Sequence, residues 1–360
     1  MPAKIISIGT ASPQYAASQS EILDFMEQAY SDKTDFRKLR VLAHQSGIEK
    51  RYSVVPDFGM DFQPVFFKHR EAQPDVEDRM GQYKENAPGL ALESIKNTLG
   101  PSGTAIDEIT HLITVTCTGL HAPGLSAEVI RELGLREDIS HTAVNFLGCN
   151  AAFYALKIAD LIINNDPTAK VLIVSVELCT LHFQPKGNTD NLLSNTLFSD
   201  GAASVLLMSD KAPFPGLTIE GFYSLLLHEG WDLMGWDINP LSFEMILNTR
   251  VPVFIGKEVN RILEKAAAHY AIAKDDISHW AIHPGGKKIL DEVSHNLKID
   301  KELLGNSYGV LRDYGNMSSP TILFVLKRFL ESPGRDGEKI FSVGFGPGLS
   351  IETSLLSYGK

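Results

Sequence analysis

The chain has 360 residues, 44% of them hydrophobic and 21% charged, which is too long for one small core and too apolar for a disordered or fibrous protein. Its 44 acidic side chains outnumber 33 basic ones, for a net charge of −11, and that balance excludes a general nucleic-acid binder, because phosphate contacts need a basic face. Three cysteines, Cys117, Cys149 and Cys179, lie far apart without CxxC spacing, so neither a disulfide framework nor a metal site is expected, and a reducing cytoplasm fits best.

The opening MPAKIISIGTASP reads as a strand and a turn, its apolar run too short for a secretory signal. No stretch approaches the ~18 apolar residues of a membrane span. Next comes a basic cluster, Arg37, Lys38, Arg40, Lys50 and Arg51, opposed only by Asp35 and Glu49. It suits either contact with phosphate groups or a solvated helix face. The segment DFGMDFQPVFF (57–67) reads as a tunnel mouth or a packed loop. Strands follow at HLITVTC, TAVNF and KVLIVSVE, and later at HWAIH and KIFSVGF. Their near-continuous apolar runs predict a sheet covered by helices on both faces. Two helical runs, AAFYALKIADLI after Cys149 and SPTILFVLKRFL after Ser318, are apolar nearly all round and belong in the interior.

The chain contains a faint copy of itself. DEITHLITVTCTG (107–119) resembles DDISHWAIHPGG (275–286), an offset of 168, with Asp107, Ile109 and His111 recurring as Asp275, Ile277 and His279. The same offset carries VLIVSVE (171–177) onto KIFSVGF (339–345), and carries Cys149 onto Met317, beside Asn316. Two homologous α/β halves related by a pseudo-twofold axis are expected, residues 1–215 and 216–360, in a layered sandwich with two buried central helices. One half brings Cys149 to its strand-to-helix turn. The other brings Asn316 to the corresponding turn and ends its strand HWAIH in His283.

A cysteine at a helix start sits among unpaired N–H groups, which favour its thiolate, and a neighbouring imidazolium adds to this. Cys149, His283 and Asn316 could then hold an acyl group and stabilise an oxyanion. Taken singly, each also reads blandly: an inert buried thiol, a structural histidine, a turn or helix cap. The repeat unites them.

Around these residues the sequence resembles the type III polyketide synthases, the chalcone-synthase-like enzymes of the thiolase-fold superfamily. The matching segments are VNFLGCNAAFYALKIA, LFSDGAASVLL, HPGGKKILDEV, YGNMSSPTILFVL and GFGPGLSIETSLL, in the family's order. The resemblance implies a thiolase-like αβαβα sandwich and a homodimer. It implies that an acyl-CoA starter is loaded on Cys149 and extended by decarboxylative condensation with malonyl-CoA, then cyclised to a pyrone or phenol. His283 keeps the thiol ionised and, with Asn316, binds the thioester oxygen. Phe198 and Phe243 match gatekeeper aromatics, with core packing the alternative for Phe243. Cys117, Thr118, Cys179, His182 and Ser318 match pocket positions, Cys117 and Cys179 as passive lining. Gly346, Pro347 and Gly348, with Gly344, form a turn scaffold beside the cavity. Of the family's basic CoA contacts only Lys38 aligns; Arg40, Lys50 and Arg51 are candidate CoA contacts from the basic cluster alone. No metal and no permanently bound cofactor is implied. Two other readings stand beside this one: a ketoacyl synthase III-like enzyme making one condensation from a carrier protein, and an inactive thiolase-fold scaffold.

Overall fold

The computed structural model describes residues 1–59, 64–68 and 73–359. Its strands are β1 (Ala3–Ala11), β2 (Tyr15–Ser18), β3 (Lys50–Ser53), β4 (His111–Thr116), β5 (Ser140–Asn145), β6 (Val171–Leu178), β7 (Asp200–Ser209), β8 (Gly216–Leu226), β9 (Met234–Ile238), β10 (Phe243–Leu247), β11 (Ile277–Ile282), β12 (Lys339–Gly346) and β13 (Ser350–Gly359). Its helices are α1 (Gln19–Ala29), α2 (Lys33–Gln45), α3 (Val76–Ser102), α4 (Leu125–Leu133), α5 (Ala151–Asn165), α6 (Thr189–Leu197), α7 (Val251–Tyr270), α8 (Lys287–Leu297), α9 (Gly305–Tyr314) and α10 (Thr321–Glu331). Among the described residues no helix is long and apolar enough to cross a membrane.

Nine strands join in the order β11-β12-β13-β8-β1-β7-β6-β4-β5, while the two-stranded sheets β2–β3 and β9–β10 stand apart. The junction of β1 with β8 is thin, with only Lys4↔Thr218 and Ile5↔Leu217 in register. On either side of it the pairing repeats. β4 lies parallel to β6 and β6 antiparallel to β7; β11 lies parallel to β12 and β12 antiparallel to β13. The 168-residue offset superposes β4 on β11 and β6 on β12, while β13 follows β12 more closely than β7 follows β6 and falls outside that offset. The repeat fails at β5, because residues 308–313, its counterparts by that offset, lie inside helix α9. Only an isolated parallel bridge between Phe198 and Asn316 follows there.

Alternation along β6 shows why the sheet is layered. Val171 and Ile173 face one core, with Phe153 and Leu156 of α5 and Ile322 and Val325 of α10. Leu172 and Val174 face a second core under Ala87 and Ile95 of α3. With a side-chain period of two, consecutive apolar residues mean burial on both faces. A third core places Ile255 and Leu263 of α7 and Leu290 of α8 against Phe341 and Val343 of β12. The layers are therefore outer helices, sheet, the α5/α10 pair, sheet and outer helices. This is the αβαβα sandwich with its two apolar helices inside, because neither has a polar face to give to water.

Of the segment 57–67, residues 60–63 lie outside the described residues. Phe58 and Phe67 belong to a packed aromatic cluster with Phe25 and Phe183.

Candidate active site

Cys149 lies in a single 3-10 turn, Gly148–Asn150, that leads into α5, and is 4% exposed. Gly148 is obligatory here. Its φ is +76°, and a Cβ would fall 2.3 Å from Cδ of Pro347. Its N–H donates to Cys117 Sγ at 3.0 Å, so Cys117 supports the turn as well as lining the pocket.

Asn316 enters from the second half. Its N–H donates to Leu197 O at 3.0 Å and its carbonyl accepts from Ser199 N–H at 2.9 Å. Its side-chain Oδ1 accepts from Ser318 N–H at 2.8 Å, and its Nδ2 donates to Gly285 O at 3.3 Å. The amide is thus oriented, with its donor side toward the loop after His283. Ser318 holds a positive φ of 59°, the kind of backbone strain that persists where surroundings over-determine it.

His283 continues the β11 ladder, its N–H donating to Val343 O at 2.8 Å. Its ring is 1% exposed, and neither Nδ1 nor Nε2 has a hydrogen-bond partner. A Cβ placed on Gly285 would lie 3.7 Å from Nε2, which puts the imidazole beside the residue that Asn316 holds. Two unpaired buried nitrogens are costly, and they leave one donor and one acceptor of the neutral ring unused by the protein.

Protonation departs from expectation. Burial pushes the Cys149 thiol up to about 11; hydrogen bonding from Ser318 opposes this, and the charge of Glu177 adds to it. Burial alone drives His283 down to about 3. Burial favours the neutral thiol and the neutral imidazole over a thiolate-imidazolium pair. Loss of water outweighs the first-turn N–H groups.

A pocket of about 370 Å³ holds Cys149 together with Cys117, Thr118, Cys179, Phe198, Ser318 and Pro347. His182 and Phe243 line an adjoining chamber of about 750 Å³. Gly346 and Gly348 line neither; a Cβ on the first would strike Asn150 Oδ1 at 2.2 Å, and the second, at φ +65°, faces Trp231. They shape the turn that presents Pro347.

Sequence reasoning missed Glu177, which is 0% exposed and accepts from Cys117 N–H at 2.9 Å, Thr118 Oγ1 at 2.7 Å and Ser319 Oγ at 2.5 Å. The signal was a lone carboxylate ending an apolar strand. It also missed Met234, Trp236 and Met245 of the β9–β10 hairpin, which line the Cys149 pocket.

The CoA candidates separate. Lys38, Arg40 and Lys50 are exposed, with Lys38 3.1 Å from Asp35. Arg51 requires a correction: it is 6% exposed, and its guanidinium donates to Gln19 Oε1, Asn195 O and Phe198 O. It braces the Phe198 backbone from behind and is not free for a phosphate. A third cavity, about 670 Å³, runs from Leu42 and Gln45 of α2 and the following Ser46 to Leu197 and Gly285, with the exposed Lys287 and Lys288 at its edge. It reaches the residues that position Asn316.

Asn316 is the link: its side chain and that of Ser318 hydrogen-bond the Cys149 thiol, and its Nδ2 holds Gly285, beside the unpaired His283 ring. A nucleophile, an oriented amide and an imidazole so connected can carry an acyl group and bind an oxyanion. The chalcone and stilbene synthase N-terminal domain matches residues 1–211, and the C-terminal domain matches residues 234–358. The chain belongs to the chalcone and stilbene synthase family. It is 32% identical over 363 residues to a 3,5-dihydroxyphenylacetyl-CoA synthase of Streptomyces toyocaensis, covering 99% of this chain and 90% of the relative. It is 29% identical over 361 residues to the alpha-pyrone synthesis polyketide synthase-like Pks18 of Mycobacterium tuberculosis, covering 98% and 90%. PKS-I from the brown alga Ectocarpus siliculosus superposes with a TM-score of 0.93 at 27% identity, over 99% of this chain and 98% of that one. The chain is a chalcone-synthase-like type III polyketide synthase with a thiolase-type fold.

Proposed function

We propose that the protein loads an acyl-CoA starter on Cys149 and extends it with malonyl-CoA, and that His283 and Asn316 do the electrostatic work. The observation that carries this reading is the pair of unpartnered nitrogens on the buried His283 ring, beside the amide of Asn316. In loading, the Cys149 sulfur attacks the thioester carbon, its proton passes to His283, and the CoA thiolate leaves and takes that proton. A neutral histidine suits this step, because it accepts a proton readily and returns it. In extension, malonyl-CoA loses CO2, and the electron pair of the broken C–C bond becomes an enolate. One N–H of neutral His283 and one of Asn316 donate to its oxygen. The enolate carbon attacks the Cys149 thioester, and collapse expels the cysteine thiolate with the chain now on CoA. The apolar wall of the pocket keeps water from the intermediates. Repetition and ring closure yield a pyrone or phenolic product.

The substrates enter along the cavity edged by Lys287 and Lys288, with Lys38, Arg40 and Lys50 as outlying cations. A cytoplasmic homodimer completes the proposal. β5 supports the dimer, because it is an edge strand with Ser140, His141, Thr142 and Ala143 exposed, an unpaired row that invites a second copy. The test is mass spectrometry of products from purified protein given malonyl-CoA and a panel of acyl-CoAs. Multiply extended pyrones or phenols, formed without carrier protein, support the reading. A single condensation that needs a carrier protein would replace it with ketoacyl synthase III chemistry, and silence in both would leave the scaffold.

A further inference from the structure

Helix α2 presents a row of basic side chains to solvent. Lys33, Arg37, Arg40 and His44 are exposed, and their spacing of four, three and four residues sets them on one face. Among the described residues none of these four side chains makes an ion pair. The acids of the same helix and its cap are occupied. Asp32 accepts the Thr34 N–H at 2.6 Å, and Asp35 is held by Lys38 at 3.1 Å. Like charges three and four residues apart repel along a helix, and Lys33 opens α2, the end where the dipole disfavours a cation. The fold gains nothing from this row by itself.

The row ends at the mouth of the cavity that reaches Gly285. Gln45 lines that cavity, about 100° round the helix from His44. The row therefore flanks the opening and is not its wall. Just past α2, Gly47 packs on the stem of Lys287, where a Cβ would lie 3.1 Å from Cδ. Lys287 and Lys288 edge the cavity, so a basic surface extends from its rim along about 16 Å of α2.

The phosphates of a free CoA thioester are matched by the cations at the rim. The outer row, three helical turns long, matches an extended acidic surface. A thioester is also presented on phosphopantetheine attached to a small, acidic, helical carrier protein. The arm that enters the cavity is then the same as in CoA, and only the body left outside differs. A chain of net charge −11 repels such a carrier over most of its surface, so a basic row beside the mouth selects where it docks.

We propose that the exposed face of α2 bearing Lys33, Arg37, Arg40 and His44 docks an acidic acyl carrier protein, which delivers its phosphopantetheine-bound starter to Cys149 through the adjoining cavity. The inference rests on the acyl-transfer reading of Cys149. The Cys149 sulfur forms the new C–S bond, the carrier's C–S bond breaks, and the cysteine proton leaves on the carrier thiol. CoA thioesters remain substrates, and malonyl-CoA remains the extender.

The experiment follows acylation of Cys149 by intact-protein mass spectrometry without malonyl-CoA. The donors are hexanoyl-CoA and a hexanoyl group carried on the acyl carrier protein of bacterial fatty-acid synthesis. The full chain is compared with Lys33→Glu/Arg37→Glu and with the charge-keeping pair Lys33→Arg/Arg37→Lys. Charge reversal is expected to lower the rate from the carrier at least about tenfold and the rate from hexanoyl-CoA less than about twofold, the carrier loss shrinking with added salt. The charge-keeping pair should retain the carrier rate within about twofold. The hexanoyl-CoA rate of each preparation reports its folded fraction, so unfolding does not imitate this pattern. A carrier that fails to acylate the unsubstituted protein overturns the proposal, as does a reversed pair that changes neither rate. Equal loss of both rates also overturns it and assigns the row to the CoA nucleotide. An unsubstituted protein that takes no acyl group from hexanoyl-CoA either would overturn the acyl-transfer reading itself, a failure visible before any variant is compared.

Discussion

Phe198 and Asn316 come from different halves of the chain and are joined by an isolated parallel bridge, with Ser199 N–H donating to Asn316 O at 2.9 Å and Asn316 N–H donating to Leu197 O at 3.0 Å. The side chain that lines the Cys149 pocket and the amide that holds the loop after His283 thus share one backbone joint. Arg51 reinforces it from behind by donating to Phe198 O at 2.8 Å.

Asn316→Ala removes the amide but leaves this main-chain joint. Malonyl-CoA decarboxylation, followed as CO2 release, is expected to fall about 100-fold or more, as when one oxyanion donor is lost. Acylation of Cys149 by a starter should fall less. A decarboxylation rate within about twofold of the unsubstituted protein contradicts the role given to Asn316.

Acid should destabilise the protein through its buried histidines. Burial lowers His283 and His182 from 6.5 to about 3. A histidine with a depressed pKa binds its proton more readily when unfolded, so its contribution is full above pH 6.5 and is lost as pH falls toward 3. Asp200 acts in the opposite sense, raised by burial from 3.8 to about 7, so it favours the folded state at the lower end of that range. Glu177 and Asp160, also raised by burial, act with Asp200, so the histidine effect is read from a difference between variants. Below about pH 6.5 the urea midpoint of His283→Asn should fall less, or rise more, on acidification than that of the unsubstituted protein. An identical pH slope in that variant would show that His283 is not held neutral by burial.

Gly148→Ala adds one methyl group at φ +76°, where it meets Pro347 Cδ at 2.3 Å. A loss of about 1–3 kcal/mol in stability is expected, with a larger loss of Cys149 acylation because the nucleophile's turn must shift. Denaturant titration checks the first and intact-protein mass spectrometry the second.

Lys287 and Lys288 at the cavity edge should matter for binding and not for chemistry. Replacing both by glutamate is expected to raise KM for CoA thioesters about tenfold with kcat nearly unchanged, and the effect should weaken with added salt. A fall in kcat at constant KM would place CoA elsewhere.

Much of the architecture was legible because strand burial writes itself into sequence. The 168-residue offset superposes β4 on β11 and β6 on β12, and it sets the turn bearing Cys149 in correspondence with the one bearing Asn316. The offset could not reveal that β5 lacks a counterpart, since α9 occupies the corresponding residues. Nor could it give the protonation of Cys149, because desolvation belongs to the assembled pocket and overrides the local helix start. Arg51 misled for a similar reason. A basic cluster looks alike in sequence whether its members face water or, like Arg51, satisfy buried carbonyls. Trp236 lies between the halves' matching strands, where the repeat offers no guide.

The most direct test of the account is peptide mapping by mass spectrometry after the protein is mixed with a single acyl-CoA and no malonyl-CoA. The account expects the acyl mass on the peptide bearing Cys149, lost when malonyl-CoA is added and absent from Cys149→Ala. An acyl group on Cys117 or Cys179, or product formation by Cys149→Ala, would contradict it.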